Sequence, residues 1–243
     1  MLEPVRRFTP PENVLTYEPS ARWIRGVVAG RTVVDTRDAV LVWEPGMPVP
    51  FYAVPRRDVR GATLSPAVAP PRGSNRAGSS FHDLHVDGVT VPNAAWSYPG
   101  EVLADLVCFG WQEWHGRGMD EWYEESEQVF VHPRDPFSRV DALPSTRHVV
   151  VSAGDTVLAD STRPVLVFET GLPTRYYLPA ADVRMAALTP TDSRTRCPYK
   201  GVASYFAHEG SEVAWSYPEP LPGMTAIAGL IAFYDDRVRV EES

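Results

Sequence analysis

Cys197 and Lys200 stand three residues apart in Thr195-Arg-Cys-Pro-Tyr-Lys-Gly201, where a proline and a glycine turn the chain sharply. A cysteine nucleophile needs thiolate character, and a nearby ammonium lowers the thiol pKa. Lys200 is the only lysine among 23 basic side chains. Arginine cannot be deprotonated, whereas an ammonium is compact and shifts its pKa when buried. Cys197 and Lys200 are therefore the catalytic candidates, nucleophile and electrostatic activator. The same pair, with Tyr199 between them, could instead line a pocket. The bland alternative is an inert thiol in a turn, with Lys200 paired to a carboxylate.

A second constellation lies upstream, at Glu169, Arg175, Tyr176 and Tyr177 around a Gly-Leu-Pro turn. Strand alternation puts Arg175 and Tyr177 on one face and Tyr176 on the other. An arginine fork beside aromatic faces suits a planar, anionic ligand; an Arg–Glu pair over a packed tyrosine is the structural alternative. Trp215 and Tyr217, two apart, share a face and suit either a pocket wall or a core. Arg134 and Arg139 alternate with Asp135 and Asp141, the pattern of a salt-bridged connector. A pocket at the seam between two domains would make both arginines ligand-binding. His82-Asp-Leu-His85 is half a metal site without a third and fourth ligand at useful spacing, and reads as a loop feature. No metal and no cofactor are expected.

These residues need a scaffold, and the sequence supplies one twice. The stretch from Arg22 to Pro66 matches that from Arg147 to Pro190 with a one-residue gap, pairing Asp35 with Asp160, Glu44 with Glu169, Gly46 with Gly171, Tyr52 with Tyr177 and Asp58 with Asp182. The match resumes at Trp96 to Pro99 against Trp215 to Pro218, and at residues 103–109 against 227–233. A duplicated domain follows, with boundaries read as 1–118 and 119–243. Each copy consists of short β-branched and aromatic runs separated by turn residues, so antiparallel strands dominate. Pro179 opens one helical turn. The copies differ most between Pro190 and Trp215, where the second carries Cys-Pro-Tyr-Lys-Gly. The first has a longer stretch with neither cysteine nor lysine, the look of a degenerate partner.

The 24 prolines and 17 glycines among 243 residues fit many turns, and 44% hydrophobic residues suffice for a core. No apolar run approaches the roughly 20 residues that cross a bilayer, and the start of the chain lacks a signal-peptide core. A cytoplasmic protein away from membranes is expected. The net charge of −8 opposes binding to a phosphate backbone, so no nucleic-acid partner is expected. The acidic run from Met119 to Gln128 reads as a solvated segment between the repeats. Two cysteines make neither a disulfide framework nor a four-thiolate zinc site.

The combination VLVFETGLPTRYYLP, TRCPYKG, VAWSYP and IAGLIAFYDDRV, with VFVHPRDPFSRVDALPSTRHV at 129–149, resembles the bacterial domain of unknown function number 427, also filed under a nucleotidyltransferase-like label. The resemblance covers most of the chain, as a tandem two-copy member, and is looser in the first copy. It implies a mainly β architecture of two β-tent (Mss4-like) domains, akin to methionine sulfoxide reductase B and the ligand-binding domain of cereblon. Many of those relatives hold zinc with two C-x-x-C pairs; this chain has none, so packing is expected to replace the zinc knot. The leading expectation is a small-molecule-binding protein with an aromatic and arginine-lined pocket in the second copy or at the seam. An enzyme using Cys197, Lys200 and Arg175 on a small anionic substrate is the alternative, and a structural or interaction module the third. The chain is expected to be a monomer of two pseudo-symmetric repeats or a homodimer.

Overall fold

Among the described residues of the first unit, strand alternation and frequent turns yield eleven short strands and a single turn of α-helix. They are β1 (Thr16–Pro19), β2 (Ile24–Val28), β3 (Arg31–Thr36), β4 (Val40–Trp43), β5 (Phe51–Pro55), β6 (Thr63–Pro66), β7 (Ser80–Val86), β8 (Val89–Ser97), β9 (Leu106–Phe109), α1 (Gln112–His115), β10 (Glu121–Glu124) and β11 (Glu127–Val129). The second unit continues with β12 (Val140–Pro144), β13 (Val149–Ala153), β14 (Thr156–Ser161), β15 (Val165–Glu169), β16 (Arg175–Leu178), β17 (Thr189–Cys197), β18 (Gly201–His208), β19 (Ser211–Ser216), β20 (Ile231–Phe233) and β21 (Arg239–Glu242). The computed structural model describes residues 14–69, 76, 78–100 and 103–243.

The large sheets of the two units share one topology. A seven-stranded antiparallel sheet runs β1-β4-β5-β9-β8-β7-β6 in one and β12-β15-β16-β20-β19-β18-β17 in the other. Each also has a smaller sheet, β11-β10-β2-β3 and β14-β13-β21 respectively. The architecture is mainly β, as the turn-rich pattern requires. Among the described residues no helix is long and apolar enough to cross a membrane.

Period-two alternation gives each large sheet two apolar faces. In the second unit, Leu178, Ala214, Ile231 and Phe233 pack with Val149, Val151 and Leu158 of the small sheet. Their strand neighbours Val167, Tyr177, Trp215 and Ala232 form a separate cluster with Tyr205 and Tyr217. The first unit repeats this, with Val42, Phe51, Ala53, Trp96, Tyr98 and Cys108 clustered apart from the core that contains Val54 and Phe109. The sites discussed below lie on that second face.

The sheet register moves the one-residue gap. Leu41 pairs with Tyr52 while Leu166 pairs with Tyr176, and Ala53 faces Cys108 where Tyr177 faces Ala232. Tyr52 thus corresponds to Tyr176, not Tyr177, and Arg175 takes the place of Phe51. Sequence identity could not decide this, because either tyrosine of the Tyr-Tyr pair matches equally well.

Three further expectations change. The chain divides between Asp135 and Pro136, whereas position 118 falls inside the first unit. The acidic run is not a solvated segment. It contains β10, which pairs with β2, and β11, which pairs with β10. Trp122 and Glu124 alternate inward and are buried, Trp122 into the main core. His82 and His85 lie in strand β7 rather than a loop. His82 contacts Arg56 and Ser97, and His85 contacts Ser65 and Thr90.

An Arg–Glu–Tyr triad ties the small sheet to the large one in both units. Glu124 accepts from Tyr52 at 2.6 Å and from Arg22 at 2.8 Å; Glu242 accepts from Tyr176 at 2.6 Å and from Arg147 at 3.0 Å. The side chain of Glu124 is 3% exposed and that of Glu242 44%. Breaking a buried network leaves polar groups unpaired, whereas an exposed one is screened. Glu124→Ala should therefore cost about 3 kcal/mol and Glu242→Ala clearly less, read as shifts in urea midpoint at constant slope. Equal losses would contradict the burial difference.

Candidate functional site

The site in the second unit begins with a carboxylate that alternation turns inward. Glu169 ends β15 on the same face as Val167, beside the aromatic cluster. Lys200 meets it from the turn between β17 and β18, with Nζ 2.5 Å from Oε1 and both side chains about nine-tenths buried (10% and 11% exposed). That turn is the Cys-Pro-Tyr-Lys-Gly element, closed by the pairing of Cys197 with Gly201. Gly201 has φ +105°, and a Cβ there would lie 3.4 Å from the carbonyl of Glu219 and the amide nitrogen of Leu221. The positive φ, rather than any close contact, is what favours glycine at this position. The amide of Leu221 donates to the Lys200 carbonyl at 3.0 Å and fixes the lysine from behind.

Aromatic rings surround the ion pair. Trp215 donates its indole N–H to the Tyr177 hydroxyl at 3.1 Å, with the rings edge-to-face at 6.2 Å. Tyr234 lies 4.6 Å from Trp215 and is stacked on Tyr205 at 6.5 Å. Thr195 and Tyr205 share a hydrogen bond of 2.5 Å. The Arg175 guanidinium sits 5.9 Å over the Trp215 ring and binds Asp235 at 2.5 Å. Burial, together with neighbouring Glu169 and Cys197, pushes the Tyr177 and Tyr217 phenols well above their ordinary range. Tyr234 is pushed up to about 12, chiefly by burial and then by the Tyr205 hydroxyl. These phenols stay protonated near neutrality, so they donate hydrogen bonds and do not act as bases.

Of the residues singled out in the sequence, Glu169, Lys200, Arg175, Tyr177, Trp215, Tyr217 and Cys197 come together here. Tyr176 points to the opposite face, as alternation requires, and is held by Glu242. Tyr199 is half-buried in the turn beside Lys200. Arg134 belongs to the first unit, where it binds Glu127 at 2.5 Å in a cleft also lined by Arg22, Glu124, Glu125 and Ser126. Arg139 is exposed and pairs with Asp141 at 2.7 Å, the connector role. In place of the Arg175–Glu169 pair that stood as the structural alternative, two others form, Arg175–Asp235 and Lys200–Glu169. Among the described residues no cluster of three or more His, Cys, Asp or Glu is placed to hold a metal.

Sequence reasoning missed Tyr205, Tyr234 and Asp235, although Ala203 and Tyr205 alternate inward with the pleat. It also missed the cation of the counterpart in the first unit, although the repeat alignment had matched Glu44 with Glu169 and Trp96 with Trp215. There Glu44 binds Arg76 Nε at 2.5 Å and accepts from the Tyr98 hydroxyl. The Arg76 guanidinium lies 3.9 Å over Trp96 and 5.1 Å over Phe51. Arg76 comes from the β6–β7 connection, the equivalent of the turn that carries Lys200. The first copy lacks the Cys-Pro-Tyr-Lys-Gly residues but keeps the buried carboxylate–cation pair.

Two antiparallel β units whose large sheets share one topology, each with a carboxylate, a cation and a tryptophan on the same sheet face, define a tandem-repeat all-β protein. The chain belongs to the family described as Domain of unknown function (DUF427), whose model matches residues 16–125 and 141–243, one segment per repeat. It matches none of the curated proteins compared with it.

The two thiols differ in access. Cys108 is buried on β9, and burial followed by the Glu44 charge pushes its pKa up; Cys197 is half-buried at the end of β17. Iodoacetamide at pH 8 should alkylate Cys197 while Cys108 reacts only after unfolding, resolved by peptide mass spectrometry. Equal rates at the two positions would contradict this placement.

Proposed function

We propose that the second repeat is a binding module for a small planar anion, held over Trp215 by Arg175. One observation carries the reading. At the strand position where the first repeat has Phe51, the second has Arg175, aimed over the equivalent tryptophan. A guanidinium placed among aromatic rings and partnered by the half-exposed Asp235 is suited to exchange that partner for a ligand carboxylate or phosphate. Trp215 is buried beneath Arg175 with Tyr234 packed beside it, so a flat ring would stack on the outer face of the guanidinium, and the protonated phenols offer donors. The recess bounded by Arg175, Tyr176, Phe233 and Asp235 has a volume of about 20 Å³, room for a single water. The ligand's place is accordingly the open side of Arg175, above the indole.

The enzyme reading, with Cys197 as nucleophile, is favoured only by the accessibility of its thiol. Its activator Lys200 is already bound to Glu169, which weakens the case for a lysine-stabilised thiolate. The binding reading is tested by a thermal-shift screen of nucleotides, sugars and small aromatic acids. A hit should lose affinity by about tenfold or more in Arg175→Ala, the worth of a charge-assisted hydrogen bond, and be unaffected in Arg139→Ala. A hit of equal affinity in Arg175→Ala would overturn the assignment.

A further inference from the structure

We propose that the first repeat carries a second binding site, a guanidinium receptor built from Glu44, the face of Trp96 and the ring of Phe51, which Arg76 occupies in cis. The receptor is complete in the way such sites are. A carboxylate accepts from the guanidinium edge at 2.5 Å, an indole lies 3.9 Å below the cation, and a phenyl ring stands 5.1 Å away. Trp96 and Phe51 are held edge-to-face at 5.2 Å, so the walls are fixed by their own packing. Tyr98 donates to the same Glu44 oxygen that accepts from Arg76, which orients the carboxylate toward the cation. Glu44 and Arg76 are both about nine-tenths buried, with side chains 7% and 11% exposed. A cation desolvated over an indole and a carboxylate gains from both.

The two repeats separate the receptor from its occupant. The carboxylate, the indole and the phenol hold their register: Glu44 corresponds to Glu169, Trp96 to Trp215 and Tyr98 to Tyr217, while Phe51 gives way to Arg175. The cations do not. In the first repeat a single arginine from the β6–β7 connection serves both carboxylate and indole. In the second, Lys200 from the β17–β18 turn serves the carboxylate and Arg175, from the strand position of Phe51, serves the indole. The cation over the indole comes from the connection in one repeat and from a strand in the other, so a fixed carboxylate and indole accept different occupants. The guest class is alkylguanidinium, because only a planar cation can present an edge to Glu44 and a face to Trp96 together. This proposal concerns the first repeat and does not depend on the ligand assigned to the second.

Removing the occupant tests it. In Arg76→Ala of the full chain, methylguanidinium should raise the melting midpoint in a saturable manner, while methylammonium at equal ionic strength should not. The wild type, with its site filled, should show no saturable response to either. Adding Glu44→Gln to Arg76→Ala should weaken the response to methylguanidinium by about tenfold or more. A response in Arg76→Ala no larger than in wild type, or unchanged by Glu44→Gln, would overturn the proposal. If Arg76→Ala is recovered only unfolded, refolding into each cation is the equivalent measurement. Folded protein from methylguanidinium but not from methylammonium supports the receptor, and equal yields from both refute it.

Discussion

A carboxylate buried on the outer face of a β-sheet is the constraint around which each repeat is arranged. Glu44 and Glu169 stand at the end of equivalent strands, each about nine-tenths removed from water. An unpaired charge in that position costs several kcal/mol, a large share of the roughly 5–15 kcal/mol that holds a domain together. A cation must be delivered to it. The β17–β18 hairpin does so through a turn whose positive φ favours Gly201, and the β6–β7 connection does so through Arg76. Replacing a buried ion pair with apolar residues is often neutral or stabilising. Its presence in both repeats is therefore better explained by what the pair does to its surroundings than by stability alone.

Its surroundings are aromatic and poor in bases. The carboxylate is neutralised, and burial raises the neighbouring phenols so that they remain donors. In the first unit the same burial, with Arg76 and Arg117 nearby, holds His115 down to about 4, so its imidazole is neutral at physiological pH. Flat rings, fixed cations and protonated hydroxyls are the groups on which the proposed binding rests. The second repeat, with Arg175 a quarter exposed and Cys197 half-buried, leaves this arrangement more accessible than the first.

Much of this was legible in the sequence. The duplication, the strand periodicity, the inward pairing of Trp215 with Tyr217 and the opposite facing of Tyr176 and Tyr177 all follow from local pattern. What escaped was non-local. The acidic run hid β10 because five carboxylates outweighed the alternation of Trp122 and Glu124, and burial of Glu124 depends on Tyr52 and Arg22 from distant strands. The true partner of Tyr52 was ambiguous until the sheet register resolved it. Arg76 lay in a stretch without strand or helix periodicity, and only its contacts reveal that it replaces Lys200. Lys200 drew attention through its neighbour Cys197, three residues away, whereas its ion partner Glu169 is 31 residues away in sequence.

A double-mutant cycle across Glu169 and Lys200 tests this account most directly. Glu169→Gln and Lys200→Met should each destabilise the chain by about 3 kcal/mol or more, because each strands its partner. The double variant should lose much less than the sum, giving a coupling of at least about 1.5 kcal/mol. Losses that add to within about 0.5 kcal/mol would show that the two charges do not depend on each other, and would contradict the claim that the buried carboxylate dictates the turn that answers it.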